Sequence, residues 1–167
     1  GASKGEGLGN QFLANIRECD AIAHVLRCFE DGDITHVEGR IDPVADAETI
    51  ETELMLADLE SIERRRANLA RKLKGGDKES LDQDRLLAVA QEALNAGRPA
   101  RTVKVSDDDQ RAWRLLQLLT AKPVLYVCNV EEASAATGNS QSARVAEMAR
   151  AQGAGVVVIS ARIEEEL

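Results

Sequence analysis

The fold is decided by one short segment, Lys122-Pro123-Val124-Leu125-Tyr126-Val127-Cys128-Asn129-Val130-Glu131-Glu132. It is apolar from Pro123 through Cys128 and then ends abruptly in an amide and two carboxylates. Such an uninterrupted apolar run predicts a strand that is buried on both faces of a parallel sheet. Pro123 suits the first position of that strand, where no hydrogen bond of the sheet is lost.

The polar residues after this strand lie where open α/β sheets bind their ligands, beyond the carboxyl ends of the strands. Asn129 and Glu132 are therefore candidates for contacting a nucleotide base. The alternative is that Asn129 only starts a turn and that the glutamates only solvate it. On this segment alone, the alternative is favoured.

Two other apolar segments predict further strands of the same sheet. The first covers residues 21–29, and the second covers residues 156–159 and leads into Ser160 and Ala161. Helices are predicted around them at residues 10–18 and 140–152. Three strands joined through helices predict an α/β fold with half of a doubly wound parallel sheet.

The segment between the hairpin described next and the central strand predicts one more helix. Ser106 and three aspartates supply a cap and an acidic first turn. The buried side of this helix is predicted to consist of its large apolar residues, Trp113, Leu115, Leu116, Leu118 and Leu119.

Residues 43–97 predict an inserted antiparallel hairpin of two helices with coiled-coil spacing. Asp42 can cap the first helix. The apolar residues of that helix alternate in steps of three and four, with Arg66 at one of these positions. Gly75 and Gly76 interrupt the pattern, and Asp77 can cap the second helix. We therefore predict two domains, residues 1–42 with 98–167, and residues 43–97.

The tip of the hairpin is predicted to carry seven basic residues, a local reversal of sign in a chain of net charge −8: Arg64, Arg65, Arg66, Arg71, Lys72, Lys74 and Lys78. They could contact RNA phosphates or an acidic protein. They could equally form an exposed face that is balanced by neighbouring acids. The sequence supports the two alternatives about evenly.

Composition bounds the remaining possibilities. The net charge of −8 and the pI near 4.9 argue against general affinity for nucleic acid. Cys19, Cys28 and Cys128 form no C-x-x-C pair and predict buried, reduced thiols in a cytoplasmic protein. We find neither an apolar run of about 20 residues, as a membrane span needs, nor a secretory signal.

The glycine-rich start of the chain, with Gly5, Gly7, Gly9 and Asn10, suits either a flexible linker or a switch loop. It lacks the spacing of a P-loop. Because the chain begins inside this glycine-rich run without a methionine, we expect it to be a piece of a longer protein.

Several long motifs resemble one family. The ends of the second and third strands, Asn129-Val130-Glu131-Glu132 and Ser160-Ala161, resemble the fourth and fifth motifs of P-loop GTPases. The first thirteen residues resemble the switch II segment of the Obg-like ATPases, the YchF family. The remaining motifs of that resemblance are Arg27-Cys28-Phe29, Asp33–Gly39, Asp42-Pro43, Glu53–Glu60 and Lys74–Lys78. Together they cover essentially the whole chain.

The resemblance implies an enzyme that binds and hydrolyses ATP, and GTP less selectively, with Mg²⁺ on a GTPase-like fold. It also implies association with ribosomes and translation, and a part in stress responses. The family's P-loop lies upstream of Gly1 and its TGS domain lies downstream, so we expect this chain alone to be inactive and to hold no metal ligand. The alternative is a helical module that docks ribosome, RNA or a protein while the nucleotide site acts only as a gate.

The resemblance assigns the base contacts to Asn129, Val130, Glu132, Ser160 and Ala161. Glu132 is one methylene longer than the aspartate that reads guanine in the related motif, and Val130 replaces a lysine. An amide such as that of Asn129 can pair with adenine as both donor and acceptor. These residues favour the loss of strict guanine choice more firmly than they favour adenine.

The resemblance also bears on His24 and on the glycine-rich loop. His24 matches a family histidine that is proposed to position the attacking water, although a lone histidine in an apolar strand is more often a core residue. Gly5, Gly7, Gly9 and Asn10 match the switch II loop.

Overall fold

The strands are parallel and lie side by side in chain order. The computed structural model describes residues 9–29 and 41–160. Within them β1 is Ile22–Arg27, β2 is Val124–Asn129 and β3 is Gly155–Ile159. β2 lies between the other two and pairs in parallel with both. The predicted α/β class with a parallel sheet is confirmed.

Five α-helices accompany the strands in the described residues: α1 (Asn10–Glu18), α2 (Pro43–Lys74), α3 (Lys78–Asn95), α4 (Gln110–Leu115) and α5 (Ser140–Gln152). Short 3-10 turns lie at Ala100–Thr102, Asp107–Asp109, Leu119–Ala121 and Glu132–Ser134. The bounds of α1 and α5 agree with the prediction. No described helix is both long enough and apolar enough to cross a membrane.

The chain divides into two compact units. The hairpin unit contains residues 9–20 and 51–123, and the sheet unit contains residues 21–29, 41–50 and 124–160. Residues 98–123 share one apolar cluster with the hairpin helices. The predicted division into a nucleotide-binding domain and an inserted hairpin stays a prediction.

The core of the sheet unit lies on one face of the sheet. Tyr126 and Cys128 of β2 pack there with Val145 and Ala149 of α5. Gly153 ends α5 with φ +71, a left-handed conformation that glycine adopts without strain. The α5 helix is thereby closed directly before the chain enters β3.

The opposite face of the sheet is open in the described residues, so the prediction of burial on both faces is wrong for this structure. Val25, Leu125 and Val157 alternate with the buried side chains and are 62%, 38% and 42% exposed. Strand side chains point to opposite faces in turn, and elements of this unit cover only one of them. The sequence predicted burial on both faces because continuous apolar runs are typical of strands in fully covered parallel sheets.

The three cysteines differ in their surroundings. Cys28 and Cys128 are buried free thiols, as predicted, whereas Cys19 is exposed, so the prediction for Cys19 is wrong. Burial, together with the neighbouring Cys128, raises the pKa of Cys28 to about 12. This thiol is therefore protonated and chemically inert at neutral pH.

The hairpin forms as predicted, with α2 and α3 joined by Gly75, Gly76 and Asp77. Ile62 and Leu69 of α2 share a buried cluster with Leu87, Ala90 and Leu94 of α3. Asp42 caps α2 by accepting the N–H of Ala45 at 3.1 Å. The Asp77 carboxylate makes no bond to the α3 backbone and accepts the Ser80 hydroxyl instead, at 2.5 Å.

The predicted buried side of the next helix is partly wrong. Trp113, Leu116, Leu118 and Leu119 are buried, but Leu115 is 70% exposed. α4 has only six residues, because the chain leaves it through Gln117, which has φ +52. Leu118 and Leu119 therefore reach the core from the segment after the helix, and Leu115 is turned to solvent.

Candidate functional site

The ends of β2 and β3 bring the two predicted base-contacting motifs side by side. Asn129 pairs in register with Ile159, the residue before Ser160. The backbone N–H of Val130 donates to the carbonyl of Ile159 at 2.9 Å. Asn129 and Ser160 therefore lie at one edge of the sheet, beyond the carboxyl ends of adjacent strands, where open α/β sheets bind ligands.

The side chains at this edge differ in how accessible they are. Asn129 is half-buried and Glu132 is exposed. Ser160 is 5% exposed, and Val130 is 2% exposed within the core of the sheet unit. Packing of the Val130 side chain in this core counts against its contact with a base. The contact stays a prediction. Ala161, Gly5 and Gly7 lie outside the described residues.

The loop after β2 is held by hydrogen bonds of Glu131 and Asn139. The Nδ2 atom of Asn139 donates to the Cys28 carbonyl at 2.7 Å and to the Glu131 carboxylate at 3.1 and 3.2 Å. The Ser134 hydroxyl also donates to Glu131. These bonds, led by that of Ser134, hold the pKa of Glu131 below its ordinary value. Glu131 is therefore occupied in shaping the loop.

Sequence reasoning missed Asn139 and gave Glu131 no role beyond solvating the turn. A recognisable signal was present in Asn139-Ser140-Gln141-Ser142, an amide three residues before a hydroxyl at the start of a helix. The structure shows the resulting capping box at the N-terminus of α5. The additional bonds to Cys28 and Glu131 depend on residues far away in the chain or in a loop, so no local pattern indicates them.

His24 lies in the middle of β1, on the covered face of the sheet. Its ring centroid is 5.8 Å from that of Tyr126, its register partner on β2. At about 3.3 Å per residue, His24 is roughly 10 Å from the carboxyl end of β1. This position favours the core alternative, and the catalytic role stays a prediction.

The described part of the switch II segment belongs to the hairpin unit. Gly9 precedes α1 with φ +81, and Asn10 is the first residue of that helix. A positive φ at this point is readily adopted by glycine. The role of these residues in switching stays a prediction.

The seven basic residues of the hairpin fall into two groups. Arg66 bonds Asp84 and Gln91 of α3, each at 2.8 Å, and Arg65 donates to the Leu116 carbonyl at 2.7 Å. Burial lowers the pKa of Arg65. The remaining five are exposed: Arg64, Arg71, Lys72, Lys74 and Lys78. The donors of Arg65 and Arg66 are largely committed within the chain, so the exposed five are the better candidates for contacting a partner.

Arg64 to Arg66 also lie farther from the turn than expected. They precede Gly75 by about ten residues, which is roughly 15 Å along a helix. Arg71, Lys72, Lys74 and Lys78 are the basic residues beside the turn itself.

Among the described residues, no group of three or more His, Cys, Asp or Glu side chains could hold a metal ion.

The described residues form an α/β fold with a parallel sheet, and comparisons with known proteins identify this fold as GTPase-like. The chain is 46% identical over 169 residues to the ribosome-binding ATPase YchF of Bacillus subtilis and 49% identical over 171 residues to that of Haemophilus influenzae. Each match covers 100% of this chain and 46% of the relative. The predicted resemblance to the YchF family is confirmed along the whole chain.

A solved structure agrees with this result. The Schizosaccharomyces pombe YchF GTPase is similar with a TM-score of 0.83 and 32% identity, over 99% of this chain and 46% of that chain. No protein-family model matches the chain. The chain spans about half the length of the relatives that it matches.

Proposed function

We propose that this chain forms part of an ATPase that binds its nucleotide base at the carboxyl edge of the sheet unit. The observation that carries the proposal is the placement of Asn129 beside Ser160 at the ends of adjacent parallel strands. The relatives named as ribosome-binding ATPases match the chain through both of these strands. The whole enzyme would hydrolyse ATP, and GTP less selectively.

Base choice follows from the chemistry of the edge. The amide of Asn129 can accept from the N6 amine of adenine and donate to N7. Glu132 is longer than the aspartate that accepts two bonds from guanine, so its carboxylate reaches a different position. The phosphates would need Mg²⁺ to offset their charge during transfer. We assign no Mg²⁺ ligand to the described residues.

Replacing Asn129 with alanine in the full-length protein should raise the Kd for ATP about 10- to 100-fold. The side chain would lose two hydrogen bonds to the base, and the partner atoms would stay desolvated. Titration with a fluorescent ATP analogue measures the change, and replacing the half-buried Gln141 of α5 with alanine is a control. Unchanged ATP affinity in Asn129→Ala would remove this residue from the base site.

The hairpin supports a second function, docking to the ribosome. Five basic side chains on it are exposed, and none of them forms an ion pair with another described residue. Relatives of the chain carry the name ribosome-binding ATPase. A ribosomal partner would place the protein in the cytoplasm, and a role in stress responses stays a prediction.

Reversing Arg64, Arg71, Lys72 and Lys74 to glutamate should weaken ribosome binding at least about tenfold, because each lost phosphate contact removes favourable counterion release. Arg65 and Arg66 are left intact, since their reversal would break contacts inside the hairpin unit. Co-sedimentation with ribosomes over a range of salt concentrations measures the effect.

A matched control reverses four exposed cations outside the hairpin: Arg98, Lys104, Arg111 and Arg114. It changes the net charge equally. Equal loss of binding in both variants would indicate a general effect of charge and would exclude the hairpin as the docking surface.

A further inference from the structure

We propose that Asn139 positions the base-contacting loop after β2 by tying it to the end of β1 and to the first turn of α5. This inference rests on the proposed function, since it concerns the same edge of the sheet. Asn139 is ten residues beyond Asn129 and lies outside the two motifs that identify the site. Its role would be to hold the loop in shape, without contacting the nucleotide.

The amide of Asn139 is fully used. Its Oδ1 accepts the backbone N–H of Ser142 at 2.9 Å. A side-chain amide has two N–H groups to donate, and here they reach the Cys28 carbonyl at 2.7 Å and the Glu131 carboxylate at 3.1 and 3.2 Å. The bond to Glu131 is assisted by the negative charge of that carboxylate, which makes it stronger than a neutral one.

Glu131 carries the effect of this bond into the loop. It lies between Val130 and Glu132, so fixing its side chain restricts the backbone of both neighbours. Ser134 donates to the same carboxylate from the 3-10 turn that begins at Glu132. The side chain of Glu131 is thus held from two sides, although it is exposed, as that of Glu132 is.

Cys28 links Asn139 to Asn129 through a second route. The N–H of Cys28 donates to the carbonyl of Asn129 at 2.8 Å, and the carbonyl of Cys28 accepts from Asn139. The next residue, Val130, donates its N–H to Ile159 of β3. The backbone around Asn129 is therefore held by Cys28, directly after β1, and by Ile159 of β3. Asn139 in turn holds Cys28 through its carbonyl.

Helix capping alone does not account for these contacts. A cap needs only the Oδ1 atom of Asn139 and the hydroxyl of Ser142. The two donations from Nδ2 point away from the helix, toward the ends of β1 and β2. Asn139→Asp separates the two roles, since aspartate is an equally good cap but cannot donate to Cys28 or Glu131.

The test uses the full-length protein and titrates fluorescent ADP and GDP analogues into it. Asn139→Asp should raise the Kd for the ADP analogue about tenfold and change the ratio of the two affinities. The double variant Asn139→Asp with Glu131→Gln exchanges donor and acceptor, since glutamine can donate to the new aspartate, and should recover part of the loss.

Gly153→Ala is the matched control, because it strains the other end of α5 at φ +71 and touches nothing in the loop. It should lower Tm and leave both affinities within twofold of wild type. An Asn139→Asp protein that binds both analogues as wild type does would overturn the inference, whatever its Tm. A wild-type protein that binds neither analogue would instead refute the proposed function, and the inference with it.

Discussion

Replacing Asp58 with alanine is expected to lower the free energy of unfolding of the hairpin unit by about 3–5 kcal/mol. Asp58 is 2% exposed. Its carboxylate accepts the N–H of Leu119 and the N–H of Thr120, each at 2.8 Å, and the hydroxyl of Thr120 at 2.7 Å. Alanine would leave three buried donors without a partner, at about 1–3 kcal/mol each before water enters.

The effect should extend beyond α2, because Thr120 bonds both to Asp58 and to a further segment of the chain. Its hydroxyl accepts the N–H of Ala100 at 2.9 Å while it donates to Asp58. The carboxylate thus ties the middle of α2 to the segments on both sides of α4. Burial raises the pKa of Asp58 in spite of these donors, so they do not fully offset the cost of desolvating the charge.

Two companion variants sharpen the measurement. Asp58→Asn keeps one acceptor oxygen and avoids the buried charge, so it should cost less than Asp58→Ala. Glu60→Ala lies on the exposed side of the same helix and should be nearly neutral. Thermal unfolding gives the size of the change, and hydrogen exchange at the amides of Leu119 and Thr120 gives its location. Native protection of both amides in Asp58→Ala would contradict this account.

Breaking the ion pair between Glu51 and Arg101 should be nearly as costly. The two side chains are only 17% and 13% exposed, and Nη1 of Arg101 lies 2.5 Å from Oε1 of Glu51. Nε of Arg101 donates to the Lys122 carbonyl at 3.1 Å. Glu51→Ala would leave a largely buried guanidinium with that one acceptor, and removing one member of a buried pair costs about 3–5 kcal/mol.

The location of this pair makes its loss a test of the hairpin unit as a cooperative body. It joins α2 to the segment after α3 and to the start of the connection to β2. Urea unfolding gives the free energy of unfolding of Glu51→Ala and of the double variant Glu51→Leu with Arg101→Met. Their comparison separates the loss of the ion-pair attraction from the cost of an unpaired, buried guanidinium. The apolar pair should be clearly more stable than the single variant.

An exposed pair in the same unit provides the control. Arg85 and Asp109 bond at 2.9 and 3.1 Å, but the Arg85 side chain is 50% exposed. Water compensates for the loss of such a pair, so Asp109→Asn should change stability much less than Glu51→Ala. Equal effects of the two variants would show that burial does not strengthen the inner pair.

The regular elements were predicted well because local rules determine them. The glycines at the hairpin turn, the cap at Asp42 and the heptad spacing of α2 are properties of neighbouring residues. The bounds of α1 and α5 follow from the same kind of signal. The apolar segment ending at Asn129 was enough to predict a parallel strand with polar residues at its carboxyl end.

The errors have a common cause in packing. Leu115 was assigned to the buried side of a longer helix, but α4 ends at Leu115, and that side chain is 70% exposed. Cys19 lies in or beside an apolar stretch, as Cys28 and Cys128 do, and yet it is exposed. Val25, Leu125 and Val157 are apolar on a face that no described element covers. In each case exposure depends on what packs opposite, which local sequence does not specify.

By itself, the sequence of this protein determined the strands, the helical hairpin and the likeness to YchF, because periodicity, caps and motifs act over a few residues. Only the tertiary structure decided which polar groups meet. It placed Asn139 on Cys28 and Glu131, Asp58 on Thr120, and Arg65 on Leu116. Most of these partners are tens of residues apart, and a buried polar group takes whichever partner the fold brings within about 3 Å.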